Sequence, residues 1–307
     1  MFTADAHCDT LYYRAILPKK EHEIMITPAR LAAGHVGLQT FAMFSGHEGD
    51  PGTPYGRGLK MLDYVPKLGV PVITGKLPDA APDTPHGVLS IEGGEMLEGS
   101  LERLHEFHDA GVRMITLTWN YENQIAYPAK SGSRLPLKDF GRELVFEMDK
   151  LGMLSDVSHL NDAGFDDVAA RTRLPLVASH SNLRERTPVP RNLTRAQVRV
   201  IIEKQGFIGV NFYADFLRSG APATLDDVLG HIDALCELGA VHCVGFGSDF
   251  DGIDAWPEGL ENPSHFPALL DLLARHGYTD AQLAGIAGGN LWRVYKSAES
   301  AAQHSPR

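Results

Sequence analysis

The sequence predicts a (β/α)8 TIM barrel, and three observations predict it. Eight strand-like runs recur along the 307 residues, most of them near-continuous in apolar residues rather than alternating, as parallel strands buried on both faces require. Helical patterns separate them, the order of repeated βα units. Five of the runs lead into His, Asp or Glu at their C-terminal ends, where a barrel rim carries its chemistry. A doubly wound open sheet is the alternative. It calls for a Gly-rich phosphate loop after the first strand, and DAHCDTLYY contains none.

Taken in order, Phe2–His7 is the first predicted strand and leads directly to Asp9. Val36–Phe44 is the second, followed by a Pro/Gly-rich stretch, Gly46–Gly58, read as a surface loop at the site end of the barrel. After the loop-like Lys76–His86 comes Gly87–Glu92, where Gly93 and Gly94 permit a sharp turn. Met96–Ala110 carries Leu97, Leu101, Leu104 and Phe107 at helical steps, with Glu95 available to cap it and leave Glu92 free. Val112–Thr118 is the fourth strand. Asp139–Leu151, a helix by its Leu144, Val145, Met148 and Leu151, precedes the strands Met153–His159 and Pro175–His180. Thr194 and Gln197 form a capping box ahead of Val198, Ile201 and Ile202. Phe207–Phe212 and Cys243–Asp249 flank an amphipathic Leu225–Leu238, and a second capping box, Thr279 with Gln282, opens the helical pattern Ala281–Tyr295. Residues 1–296 thus read as one barrel domain and 297–307 as a polar C-terminal tail.

Hydrophobic content of 43% and charged content of 22% are those of an ordinary soluble protein, and a core of this size needs no staple. Cys8, Cys236 and Cys243 form no CxxC pair, which argues against a disulfide framework and a thiolate zinc site and fits a reducing compartment. A net charge of −11 argues against nucleic acid or an anionic membrane as partner. No run approaches the ~18 apolar residues of a membrane span, and neither a secretion leader nor a lipid-anchor tail is read at the ends. The expectation is a cytoplasmic protein.

Six residues at strand ends carry the functional reading: His7, Asp9, Glu92, His159, His180 and Asp249. Each alone is weak, because a lone His or Asp at a strand end is more often a structural polar group. Together they gain force. Alternate residues share a strand face, so His7 and Asp9 both point into the barrel mouth. A buried His and Asp there need a partner, which a divalent cation supplies. His159 and His180 end successive strands and lie side by side, and imidazole is the commonest ligand of zinc. Five ligands favour two ions over one, with a carboxylate between them. Asp249, in GFGSDFDG, is placed to accept a proton from attacking water and pass it to a leaving amine. Asp251 competes for that role but lies farther from the strand end. The remaining histidines, His47, His105 and His108 among them, have no supporting arrangement and are read as structural or surface groups.

These pieces resemble the membrane dipeptidase (renal dipeptidase) family, the M19 metallopeptidases, on an amidohydrolase-like metal-dependent hydrolase barrel. DAHCDT, IEGGE, RMITLTWN, DVSHL, ASHSN, PRNLT, GVNFY, GFGSDFDG and GNLWRVY occur in family order from Ala4 to Tyr295. The resemblance implies a binuclear zinc centre: His7, Asp9 and Glu92 on one Zn2+, Glu92, His159 and His180 on the other, with Glu92 bridging. It implies Asp249 as the acid/base aspartate working with a metal-bridging hydroxide, Arg191 as the grip on the substrate carboxylate, and Tyr213 as a pocket-lining residue. It further implies a dipeptide substrate, L,D-dipeptides among them, and a homodimer. The chain is similar to bacterial members in carrying Trp119 after Thr-Leu-Thr, where mammalian members carry a histidine that polarises the scissile carbonyl. Asn120, Tyr121 and Asn123 are candidates for that role. The alternative function is another metal-dependent amidohydrolase acting on a small amide, lactone or ester. Many such enzymes carry His-x-His on strand one and a lysine at the fourth strand end, whereas this chain has His7 and Asp9 on strand one and Thr118-Trp119 at the end of the fourth.

Overall fold

A computed structural model describing residues 1–303 closes eight parallel strands into a barrel in sequence order. The strands are β1 (Thr3–Asp5), β2 (Val36–Phe44), β3 (His86–Glu92), β4 (Val112–Thr116), β5 (Leu154–Asp156), β6 (Val177–Ala178), β7 (Phe207–Val210) and β8 (Val244–Phe246). β8 returns to β1 through the Asp5–Phe246 pair. The early strand residues Ala4, Leu38, Val88, Met114, Leu154 and Val177 cluster with Leu291 and Tyr295. Tyr295 Oη meets Thr40 Oγ1 at 3.0 Å, so the last helix closes the barrel at the strands' N-terminal ends. Intervening strand residues such as Phe41, Met43, Ile91 and Ile115 belong to a second cluster, with Leu104, Phe107, Leu144 and Met148 of the surrounding helices. Burial on both faces explains the unbroken apolar runs.

Several predicted strands are longer than the observed ones. Pairing stops early because two carboxylates take over backbone partners. Asp156 Oδ1 accepts the N–H groups of Ser158 (3.0 Å) and Ser179 (2.8 Å), and Asp5 Oδ1 accepts that of Ser248 (2.8 Å). Side chain–backbone bonds of this kind compete with a ladder. The apolar run continues past the last paired residue, so composition alone overreads the strand.

Both capping boxes form as expected. The Met96–Ala110 pattern instead splits into a short 3-10 turn, Gly94–Leu97, and a helix, Leu101–Asp109, capped by Ser100. Glu95 caps nothing; it accepts hydrogen bonds from Ser45 Oγ (2.8 Å) and Asn123 Nδ2 (2.9 Å). The Gly46–Gly58 stretch is a loop only as far as Thr53, which caps a helix over Pro54–Tyr64. Arg57 on that helix is buried and donates to Ser45 O (2.6 Å) and Gly52 O (2.7 Å), pinning the loop. The C-terminal pattern is interrupted by a π-helical turn at Gly285–Gly289, after which the last helix runs Asn290–Gln303. The segment read as a tail is therefore helical through Gln303, with Ala298 buried; residues 304–307 of it lie outside the described residues. No helix among the described residues is long and apolar enough to cross a membrane.

Candidate metal centre

All six strand-end residues converge on the C-terminal mouth of the barrel. His7 lies two residues beyond β1. Cys8 bridges to Phe250 and keeps the chain extended, so His7 and Asp9 share a face although the strand has ended. Asp9 precedes the helix Thr10–Ala15 without capping it, which leaves its carboxylate to the site. Glu92 is the last residue of β3, and the chain turns away at Gly93 with φ +89°, where a Cβ would sit 2.2 Å from Ser45 Oγ. His159 and Asp249, each three residues past its strand, have φ of 67° and 64°. His and Asp tolerate this left-handed region better than most residues, and held strain of this kind gathers at functional sites.

The side chains are close enough to form one cluster. His7 Nε2 lies 3.5 Å from Asp9 Oδ2, 3.6 Å from Glu92 Oε2 and 3.7 Å from Asp249 Oδ1. On the other side of Glu92, Oε1 lies 3.1 Å from His159 Nε2 and 3.4 Å from His180 Nε2. The two imidazole Nε2 atoms are 3.0 Å apart. His7 Nδ1 and Nε2 and Asp9 Oδ1 are buried with no hydrogen-bond partner, an arrangement that is costly unless something satisfies it. Ligand atoms of His7, Glu92 and His180, and of His7, Asp9 and Asp249, lie within 4.8 Å of one another. Three imidazoles and three carboxylates around orphaned donor and acceptor atoms fit divalent cations of the zinc type.

Charge and burial perturb Glu92, Asp249 and the three histidines. Burial, with Asp9 beside it, raises the Glu92 carboxyl to about 8. Burial raises Asp249 to about 6, Asp9 adding to the shift and His7 opposing it. For His7, burial works downward but Glu92 and Asp9 outweigh it and hold the imidazole well above its ordinary value. His159 and His180 are held well below theirs, by burial first and by nearby Arg191 and His7. Without an ion the cluster balances its charge by sharing protons; a cation at the same place removes that need.

Around the cluster is a cavity of about 370 Å³, lined by Trp119, Asn120, Tyr213 and Phe216 as well as Asp9, Glu92, His159 and Asp249. Arg191 is no surface charge. Its Nη1 donates to Ser181 Oγ (2.9 Å) and its Nη2 to His180 O (3.0 Å). Its Nε is buried and unpartnered, and burial lowers the guanidinium to about 10. Tyr213 meets Phe216 edge-on at 4.9 Å. Trp119 packs against Phe44 (4.9 Å), His47 (5.0 Å) and Tyr121 (5.2 Å). Asn123 is committed to Glu95, Leu117 O and the N–H groups of Ile125 and Ala126, so it is removed from the candidates for polarising a carbonyl. Asp251 is committed as well, accepting from Thr10 Oγ1 (2.6 Å) and Met25 N (2.6 Å), which argues against it as the alternative to Asp249.

Four further residues support the site, and of these only Asn120 was singled out in the sequence, for a different role. Asn211 Nδ2 donates to Asp249 Oδ2 (2.9 Å), Asn120 Oδ1 meets His159 Nδ1 (3.1 Å), and Ser179 and Asp156 stand behind His180. Each is a polar residue within or beside an apolar strand-end motif, and that signal was available. His47 carried no such signal; the pinned loop after β2 brings it to Trp119.

The model of the family described as membrane dipeptidase (peptidase family M19) matches residues 1–307. An uncharacterised dipeptidase of Schizosaccharomyces pombe is 37% identical over 218 residues, covering 69% of this chain and 52% of its own. The chain spans about half the length of the Schizosaccharomyces relatives it matches. Among solved structures, dipeptidase AC, a metallopeptidase of family M19, superposes with a TM-score of 0.86 at 27% identity over 97% of this chain and 98% of that one. A metallopeptidase from Rhodobacter sphaeroides, liganded with a phosphinate mimic of the dipeptide L-Ala-D-Ala, gives 0.86 at 26% identity over 97% and 99%.

Proposed function

The chain belongs to the membrane dipeptidase family, peptidase family M19, and from that premise we propose that it is a zinc-dependent dipeptidase. The observation that carries the reading is the two-sided carboxylate of Glu92. Its Oε2 faces His7 and its Oε1 faces His159 and His180. His7, Asp9 and Glu92 would hold one ion, and Glu92, His159 and His180 the other. Two divalent cations held there supply Lewis acidity to a carbonyl oxygen and acidify water toward neutral pH.

The protein's own groups do the rest. Asp249, with its carboxyl raised to about 6 by burial, is matched to taking a proton from water and returning it to the departing amine near neutrality. Asn211 holds one Asp249 oxygen and leaves Oδ1 on the His7 side. Arg191 has two N–H groups committed and its Nε free, a geometry suited to a carboxylate accepting two parallel bonds. Bidentate pairing would make that grip directional, and a terminal carboxylate held there would favour dipeptides over longer chains. The L-Ala-D-Ala mimic held by the Rhodobacter neighbour supports L,D-dipeptides as substrates here.

A panel of L,L-, L,D- and D,D-dipeptides, with lactones and simple esters as controls, tests the proposal. Dipeptides should be cleaved by zinc-loaded protein, not after chelation, and again after zinc is restored. Turnover of a lactone or ester without any dipeptide would overturn it.

A further inference from the structure

The imidazoles facing Glu92 are not equivalent, and the difference lies behind them. Asp156, at the end of β5, is fully buried. Its carboxylate accepts four hydrogen bonds: Thr116 Oγ1 (2.5 Å), Ser158 N (3.0 Å), Ser179 N (2.8 Å) and Ser179 Oγ (2.5 Å). Ser179 Oγ also lies 2.7 Å from His180 Nδ1. A hydroxyl has one proton to give. A bond to a carboxylate is roughly twice as strong as one between neutral groups, so that proton goes to Asp156. The Ser179 oxygen is then left as an acceptor, and His180 Nδ1 must be the donor. The proton of the neutral ring therefore sits on Nδ1, and the Nε2 lone pair is aimed at Glu92 Oε1 and His159 Nε2.

His159 lacks such a lock. Its Nδ1 meets the Asn120 side-chain amide, which can present either an oxygen or an NH2 group when turned over. His7 Nδ1 has no partner at all. Of the three rings, only His180 has a tautomer dictated by a buried anion.

We propose that Asp156 and Ser179 are positioning residues that fix His180 as an Nε2 donor to the ion shared with Glu92 and His159, through an unbroken Asp156–Ser179–His180 hydrogen-bond chain. This inference rests on the metal reading given above, and it predicts that the two ion sites depend unequally on Ser179. Partners behind a ligating histidine commonly set metal affinity by about 10- to 100-fold. Here a serine stands between carboxylate and ring, so one hydroxyl controls the connection.

The test uses nitrogen NMR of the histidine rings in metal-free wild-type protein, followed by zinc competition against a chromophoric chelator. In the wild type, His180 should carry its proton on Nδ1. Ser179→Ala should lose that preference and weaken one of two zinc equivalents about 10- to 100-fold, the other staying within about twofold. Ser179→Thr, which keeps the hydroxyl, should restore both. A proton on His180 Nε2 in the wild type would overturn the proposal, whether or not the variant folds. So would a folded Ser179→Ala protein with both zinc affinities unchanged. Wild-type protein that showed the Nδ1 tautomer yet bound no zinc would sink the metal reading and leave the tautomer assignment standing.

Discussion

Replacing Asp249 by Asn separates proton transfer from metal binding. The substitution keeps side-chain volume and leaves Asn211 able to donate to an amide oxygen in place of Asp249 Oδ2, now 2.9 Å away. It removes the only cluster carboxylate not assigned to an ion. A positioned acid or base contributes about 10²- to 10⁴-fold, and each decade corresponds to about 1.4 kcal/mol of barrier, so the expected loss in kcat is about 2.7–5.4 kcal/mol. Stability should move the other way. Burial raises the Asp249 carboxyl, which means that its ionised form is disfavoured in the fold, and a neutral amide relieves this in the metal-free protein. The assay is loss of peptide-bond absorbance with a dipeptide, beside elemental analysis and thermal melting of the same preparation. Two zinc equivalents, an undiminished metal-free Tm and a kcat lowered at least about 100-fold are expected. A kcat within about threefold of wild type would remove Asp249 from the chemistry. Loss of a zinc equivalent would instead make it a ligand, a role its proximity to His7 and Asp9 permits.

Other substitutions and conditions probe the remaining parts. His159→Ala takes away a ring 3.1 Å from Glu92 Oε1 and should reduce zinc to one tightly held equivalent; two full equivalents by elemental analysis would refute that assignment. Arg191→Met should raise KM for dipeptides roughly 30- to 150-fold, the loss of about 2–3 kcal/mol of charge-assisted bonding. Amidating the substrate's C-terminus should impose a similar loss on the wild type and little on the variant, and equal losses in both would detach Arg191 from the carboxylate. For metal-free protein, stability should fall as pH rises from about 6.5 to 8. Glu92, raised to about 8 from 4.5, and His7, raised above 6.5, keep protons in the fold that the unfolded chain releases. The lowered His159 and His180 act in the opposite sense, but in the range below 6.5. Zinc displaces the retained protons, so the gain in Tm on adding zinc should grow across the same window; a gain that shrinks would contradict the balance of charge described.

The order of eight strands was legible because burial on both faces leaves unbroken apolar runs, and the six site residues were legible because polar groups end those runs. Strand ends were not, since the apolar composition of Val157 or Leu176 says nothing about where pairing stops. That limit is set by Asp5 and Asp156 reaching across to serines on neighbouring strands. Asp156 is visible in DVSH and Ser179 in ASHS, but a hydrogen bond spanning 23 residues has no local signature. His47 shows the same limit from the other side. Its approach to Trp119 depends on Arg57 pinning the loop, and the loop's Pro and Gly content reads only as a turn-rich stretch. Arg191 lies in PRNLT, where residue chemistry alone gives a surface charge; resemblance pointed to a grip on the substrate carboxylate, and the fold leaves the side chain half-buried with its Nε unpartnered.

Titration of metal-free protein with Zn2+, following hydrolysis of an L,D-dipeptide at each addition, tests the two-ion dipeptidase most directly. Negligible turnover is expected without zinc, and full turnover only as the second equivalent binds. Full activity at one equivalent, or no dipeptide hydrolysis at any loading, would contradict this expectation.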